Sequence, residues 1–214
     1  VLNWFWFPRG EVTRDRSFSF FSRYRSLLAL PVLRAILAAN FAQRIAFMGM
    51  FSYLATYMID HYGMSVGAVA LPLVFVGIGT VIGSYIGGYV ANRNDRMHLI
   101  AVCASGGGIA ASFLFSVDIP VWAVVATATG ATALLSIPWT VLITVITEVS
   151  SQSRATGVGL LGVSNQTGAV GGAALGGYLL AAGGFPGVGY LCLGAVAFSV
   201  VVIVFFLREP DRSL

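Results

Sequence analysis

Three polar residues, Asn40, Gln43 and Arg44, interrupt an apolar stretch that runs from about position 33 to 58. At ~100° per residue they fall within about one third of a helix circumference, and Phe47, Phe51, Leu54 and Met58 continue the same face. A guanidinium stays charged at every physiological pH. Held at mid-bilayer depth it costs at least ~2.5 kcal/mol on insertion scales, so Arg44 should face a cavity or a partner. Two roles follow: lining a substrate cavity or gate, or pairing with a carboxylate or helix end in a missing half of the protein.

A second polar stripe comprises Thr129, Thr132, Ser136, Thr140, Thr144 and Thr147, spaced by three and four residues, with Pro138 and Trp139 inside it. Such hydroxyls either line a wet cavity or bond the backbone carbonyls of their own helix. Ser136, Trp139 and Thr140 join Asn40, Gln43, Arg44, Phe47 and Phe51 as cavity candidates, and so does Asn165. Asn165 and its neighbour Gln166 point apart on a helix, and Asn165 lies nearer the glycines that follow. Arg93, Asp95 and Arg96, in a short polar connection, are expected to form a charge cluster with neighbouring helix ends, and Glu148 and Arg154 are placed for local pairing in another.

Other chemistry finds no support. There is no G-x-S-x-G, no H-E-x-x-H, and no histidine at depth beside a serine or carboxylate, so no catalytic residue is expected. His61 and His98 sit at the ends of apolar runs, Cys103 and Cys192 read as small core residues, and no metal or cofactor is implied. No aspartate or glutamate occurs at depth; any proton-relaying carboxylate should lie outside this chain.

These residues need a scaffold, and composition names its solvent. Of 214 residues 57% are hydrophobic and 9% charged, against roughly 25% charged in soluble domains. That excludes a soluble domain, a disordered chain and a nucleic-acid-binding protein; a lipid bilayer is the expected surrounding. A bilayer core requires about 20 apolar helical residues, and six stretches qualify: 33–58, 66–91, 97–115, 121–146, 156–182 and 188–207. Proline, glycine and polar clusters punctuate them.

All 12 basic residues are arginine. Arg9, Arg14, Arg16, Arg23 and Arg25 precede span one; Arg93 and Arg96 lie between spans two and three; Arg154 lies between four and five; Arg208 and Arg212 follow six. The other connections contain no arginine, so basic and non-basic connections alternate and both termini are expected in the cytoplasm. Arg34 is at the inner edge, where it should snorkel.

Spans two and five share a pattern: Gly79, Gly83 and Gly87 followed by Gly88-Tyr89, and Gly168, Gly172 and Gly176 followed by Gly177-Tyr178. Glycines four apart make a smooth stripe that lets another helix approach closely. The two stripes run in opposite directions across the bilayer, so the expected fold is an all-α membrane protein of six helices arranged as two inverted three-helix repeats.

The run Gly87 to Arg96 resembles the cytoplasmic loop motif of the major facilitator superfamily, G-x-x-A-D-R-x-G-R-R. Gly88, Ala91, Arg93 and Arg96 match, whereas Asn92, Asp95 and Met97 depart from it. Arg154-Ala155-Thr156-Gly157, entering a glycine-rich span, is similar to the start of helix eleven in bacterial efflux permeases of that superfamily. The resemblance implies a C-terminal six-helix half. In such a half the first and fourth spans line the cavity, the second and fifth pack against the other half, and the third and sixth face lipid. Ser105-Gly106-Gly107-Gly108 suits a lipid-facing third span poorly. The cluster of Asn92, Arg93, Asp95 and Arg96 is then expected to gate the cytoplasmic side.

The resulting expectations are these. Residues 1–31 hold the end of a preceding helix (Val1 to Pro8, rich in aromatics) and a cytoplasmic linker; 32–208 form the transmembrane domain; 209–214 are a cytoplasmic tail. The function implied is secondary active efflux of a small organic solute by alternating access in the bacterial inner membrane, with a missing N-terminal half as partner. The alternatives are a homodimer of this chain or a membrane scaffold subunit.

Overall fold

A computed structural model describes residues 20–207, and all regular structure among them is helical. Residues 1–8 and 209–214 lie outside the described residues. Helix α1 spans Phe20–Leu28, α2 Pro31–Tyr62, α3 Val66–Val90, α4 Arg96–Ser116, α5 Val121–Val149 and α6 Arg154–Phe206, with a short 3-10 turn, Ser151–Ser153, before α6.

Local chemistry explains the boundaries. Pro31 opens α2 where its missing N–H costs nothing. Gly63 ends it at φ 64°, a left-handed turn whose N–H donates to Met58. Ser65 caps α3 by accepting from the Ala68 N–H at 3.3 Å. The 53 residues of α6 do not form one rod: Gly184 adopts φ 68° and ψ −166°, and Pro186 follows. Only glycine takes that conformation readily. The chain folds back so tightly that a Cβ at Gly187 would meet the Leu179 carbonyl oxygen at 2.7 Å. The turn expected at residues 183–186 is therefore present, and α6 consists of two antiparallel limbs.

Helices α3, α4, α5 and α6 are long and apolar enough to cross a membrane. Helix α2, at 32 residues, has ample length, but it carries Arg34, Asn40, Gln43 and Arg44 and is not in that group.

Glycine decides the packing. The Gly79, Gly83 and Gly87 stripe lies on α5, against Thr129, Ala133 and Thr140 in turn. The Gly168, Gly172 and Gly176 stripe lies on α2, against Phe41, Ile45 and Tyr53 in turn. Residue numbers rise together in both pairs, so each pair is parallel. A face with no side chains brings backbones together, and both stripes are used for helix packing inside this chain, leaving the opposite faces of α3 and of the first limb of α6 exposed. The third span's glycines act likewise, Gly107 against Leu135 and Gly108 against Val196. That is why a small-residue run occurs there.

The buried core forms two layers along the bundle axis. One contains Leu33, Val90, Met97, Val145, Ile146 and Leu207, and the other Met58, Val69, Phe115, Val124 and Val188. Arg25, Arg34, Arg93, Arg96 and Arg154 gather toward the first end. The other end carries Asp60, His61 and Asp118 and no arginine among the described residues.

Candidate functional site

Arg44 is half-buried on α2 between two helices. On one side Gly168 of α6 comes so close that a Cβ there would meet the Arg44 Cβ at 2.8 Å. On the other, the guanidinium carbon lies 4.5 Å from the Trp139 ring centroid on α5 and 5.2 Å from that of Phe47. Both distances fall inside cation–π range. The Phe47 and Phe51 rings stack at 6.0 Å, extending the aromatic surface along α2 toward the acidic end. Thr140, half-buried, follows Trp139, and Asn165 lies one turn before Gly168. Among the described residues no carboxylate pairs with Arg44 and no acceptor bonds its N–H groups. Pro138 helps set this corner. It lacks an N–H, so the Leu134 carbonyl loses its helical donor one turn before the site.

The other candidates divide. Asn40 is only 1% exposed; its Nδ2 donates to Ser164 Oγ at 3.1 Å, and Ser164 donates to the Leu37 carbonyl at 2.7 Å. Gln43 is buried as well, on the stripe of Ala39 and Ala46, whose carbonyls accept from Ser199 and Cys192 of the second limb of α6. Its Nε2 has no partner among the described residues. Asn40 and Gln43 are thus corrected from cavity-lining to helix-packing positions. Sharing one third of a circumference is too coarse a criterion when two limbs of α6 flank that same third. Leu54 and Met58 are fully buried too. Phe47 is half-buried and Phe51 exposed, so the open part of the face is Arg44, Phe47 and Phe51.

The hydroxyl stripe on α5 serves its own backbone. Thr129, Thr132, Ser136, Thr140, Thr144 and Thr147 each donate to a carbonyl one turn earlier. Thr132 Oγ1 also lies 3.0 Å from the Val76 carbonyl, tying α5 to α3. Ser136 is buried and does not line open space. Asn165 Nδ2 donates to Gln166 Oε1 at 3.3 Å, while Asn165 Oδ1 is buried without a partner. Gln166 itself is exposed.

The loop cluster splits in two. Arg93 and Asp95 form an exposed pair at 3.2 Å, which raises the Arg93 pKa and lowers that of Asp95. Arg96, 1% exposed, points inward instead. It grips Glu148 of α5 through two bonds, 3.0 and 2.6 Å, and donates to the Ala91 carbonyl at 3.2 Å. Arg96 thus joins the ends of α3 and α5, while the pairing of Glu148 with Arg154 is corrected, the Glu148 carboxylate being bonded by Arg96 instead. A buried guanidinium requires a counter-charge more than an exposed one does. Asn92 is exposed and donates back to Gly88. Cys103 and Cys192 are both free thiols.

One feature was not read from the sequence. At the acidic end Tyr57, His61, Tyr62, Phe115 and Phe185 form an aromatic cluster, with His61 3.1 Å from Asp118 and Tyr62 donating to the Ile119 carbonyl. The dense aromatics near position 60 were the available signal; their partners lie more than fifty residues away, at the end of α4, in the connection after it and at the turn within α6.

Comparison with known proteins agrees with the helical scaffold. The "Uncharacterized MFS-type transporter YwfA" of Bacillus subtilis (strain 168) is 24% identical over 198 residues, covering 88% of this chain and 46% of that protein. The "Uncharacterized MFS-type transporter YceJ" of the same organism is 31% identical over 70 residues, 33% of this chain and 18% of that one. The chain therefore spans about half the length of the first relative or less. No solved structure gives a significant match. Residues 36–214 match the profile of the Major Facilitator Superfamily, and the chain belongs to that family of integral membrane transporters.

Proposed function

We propose that this chain is the C-terminal half of a secondary transporter that moves a small organic solute outward by alternating access. Its six membrane crossings form two inverted triplets: α2, α3 and α4, then α5 and the two limbs of α6. The observation that carries the reading is the exchange in packing. Crossing two lies on crossing four, and crossing five on crossing one, each through three glycines spaced by four and each in parallel register. A two-fold operation that swaps the triplets converts one pair into the other. The corner between α2, α5 and the first limb of α6, where Arg44 and Trp139 meet, then faces the other half across the solute path. Coverage of 46% of a relative supports the half-protein reading. The arginine-bearing end is the cytoplasmic one, and the bacterial inner membrane is the compartment.

Two measurements test this. The intact transporter, reconstituted in proteoliposomes, is expected to move solute, whereas these 214 residues alone are not; transport by the chain alone would sink the two-half reading. For topology, a membrane-impermeant maleimide should label Asp118→Cys in whole cells and Arg93→Cys only after permeabilisation. The reverse pattern would invert the proposed orientation.

A further inference from the structure

We propose that the solute recognised at the Arg44 corner is an aromatic carboxylate, its charge bound by Arg44 and its ring seated on Trp139, Phe47 and Phe51. The inference rests on the transporter reading above and names the substrate class of the same site.

The geometry separates the two surfaces of the guanidinium. Its carbon lies 4.5 Å from the Trp139 centroid and 5.2 Å from that of Phe47, so aromatic rings stabilise the positive charge without using any N–H. The hydrogen-bonding edge is left over: no acceptor among the described residues meets it. A planar fork of donors fits the two oxygens of one carboxylate, and it stays charged at any pH the cell meets. Elsewhere in the same chain the structure displays that preference, since Arg96 takes Glu148 through two bonds.

The rest of the corner describes the rest of the molecule. Phe47, Phe51 and Trp139 are half-buried or exposed, and the stacked Phe47 and Phe51 rings are nearly parallel, 10° apart in plane. An aromatic body stacks there at low entropic cost. The remaining groups carry no competing charge. An organic cation finds nothing in the described part of the corner to neutralise it, and Arg44 repels it.

The test uses the intact transporter in nanodiscs and three probes of one ring system: 1-naphthoate, 1-naphthylmethylamine and 1-naphthalenemethanol, titrated calorimetrically. Naphthoate is expected to bind at least ten-fold more tightly than the amine or the alcohol. Arg44→Gln should remove that preference, and Arg44→Lys should keep part of it, since charge survives but the fork does not. The melting temperature of Arg44→Gln without ligand should equal that of the parent. Equal or tighter binding of the amine or alcohol would overturn the proposal, as would failure of naphthoate to bind. A ligand-free Arg44→Gln protein that melts well below the parent would also overturn it, because Arg44 would then be half of a structural ion pair with the rest of the protein. None of these failures touches the transport and labelling measurements above, so the two readings fall separately.

Discussion

Arg44 and Arg96 are the same residue on two helices of one bundle, and their surroundings differ in every respect that matters. Arg96 is 1% exposed and locked onto Glu148 and the Ala91 carbonyl, so it ties the start of α4 to the end of α5. Arg44 is half-buried, stacked on Trp139 and Phe47, and meets no carboxylate among the described residues. The first has its hydrogen-bonding capacity spent within the fold. The second has its charge stabilised by rings, and its donors meet no acceptor among the described residues. A buried charge with its partner inside the fold holds structure, whereas the open donors of Arg44 are what the proposed solute site uses.

The contrast can be broken by measuring melting of the intact protein in one detergent. The largest loss is expected from Glu148→Gln, which leaves the buried Arg96 without a counter-charge. Loss of a buried partner costs about 3–5 kcal/mol, and the 42% exposure of the Glu148 side chain places this case near or below the lower figure. A shift too small to measure would show that Arg96 is not a structural tie. Gly168→Val comes next. Its Cβ would sit 2.6 Å from the Phe41 carbonyl oxygen, which cannot yield without moving α2, so overpacking should cost about 1–3 kcal/mol. Normal melting would mean that α2 and α6 are less closely apposed than described.

Arg44→Ala should change stability by less than about 1 kcal/mol, because it removes a cation–π contact and an insertion penalty together. A loss matching that of Glu148→Gln would erase the distinction between the two arginines. The smallest effect belongs to the exposed Arg93–Asp95 pair. Asp95 has its pKa depressed below its ordinary 3.8 by Arg93, so its contribution is complete above that value and is lost only as pH falls through the lower folded pKa. Between pH 5 and 8 the melts of Asp95→Asn and parent are expected to run parallel and close. A difference that opened anywhere in that range would show that Asp95 has a stronger partner.

Much of this was legible in the chain as written. Helix boundaries follow from apolar run length and from local breakers such as Gly63, Pro31 and the 183–186 turn, all of which act within a few residues of themselves. The glycine stripes were visible as spacing, but their partners were not. Nothing local to Gly83 records that Ala133 will lie against it. The same holds for the candidate site. Asn40, Gln43 and Arg44 share one helix face in any sequence reading. Ser164 and the second limb of α6 cover the first two, and the half-buried corner is left to the third.

The sequence alone therefore determined the solvent, the number and ends of the apolar runs, and the alternation of arginine between connections. Each depends on composition or on neighbours along the chain. Only the tertiary structure decided that the stripes close the bundle internally, that Arg96 belongs to Glu148, and that Arg44 belongs with Trp139. Each of those pairs joins residues far apart in sequence, and their contact is set by which helix faces lack side chains and can approach. In this chain the placement of missing side chains governs where the charged ones are free to act.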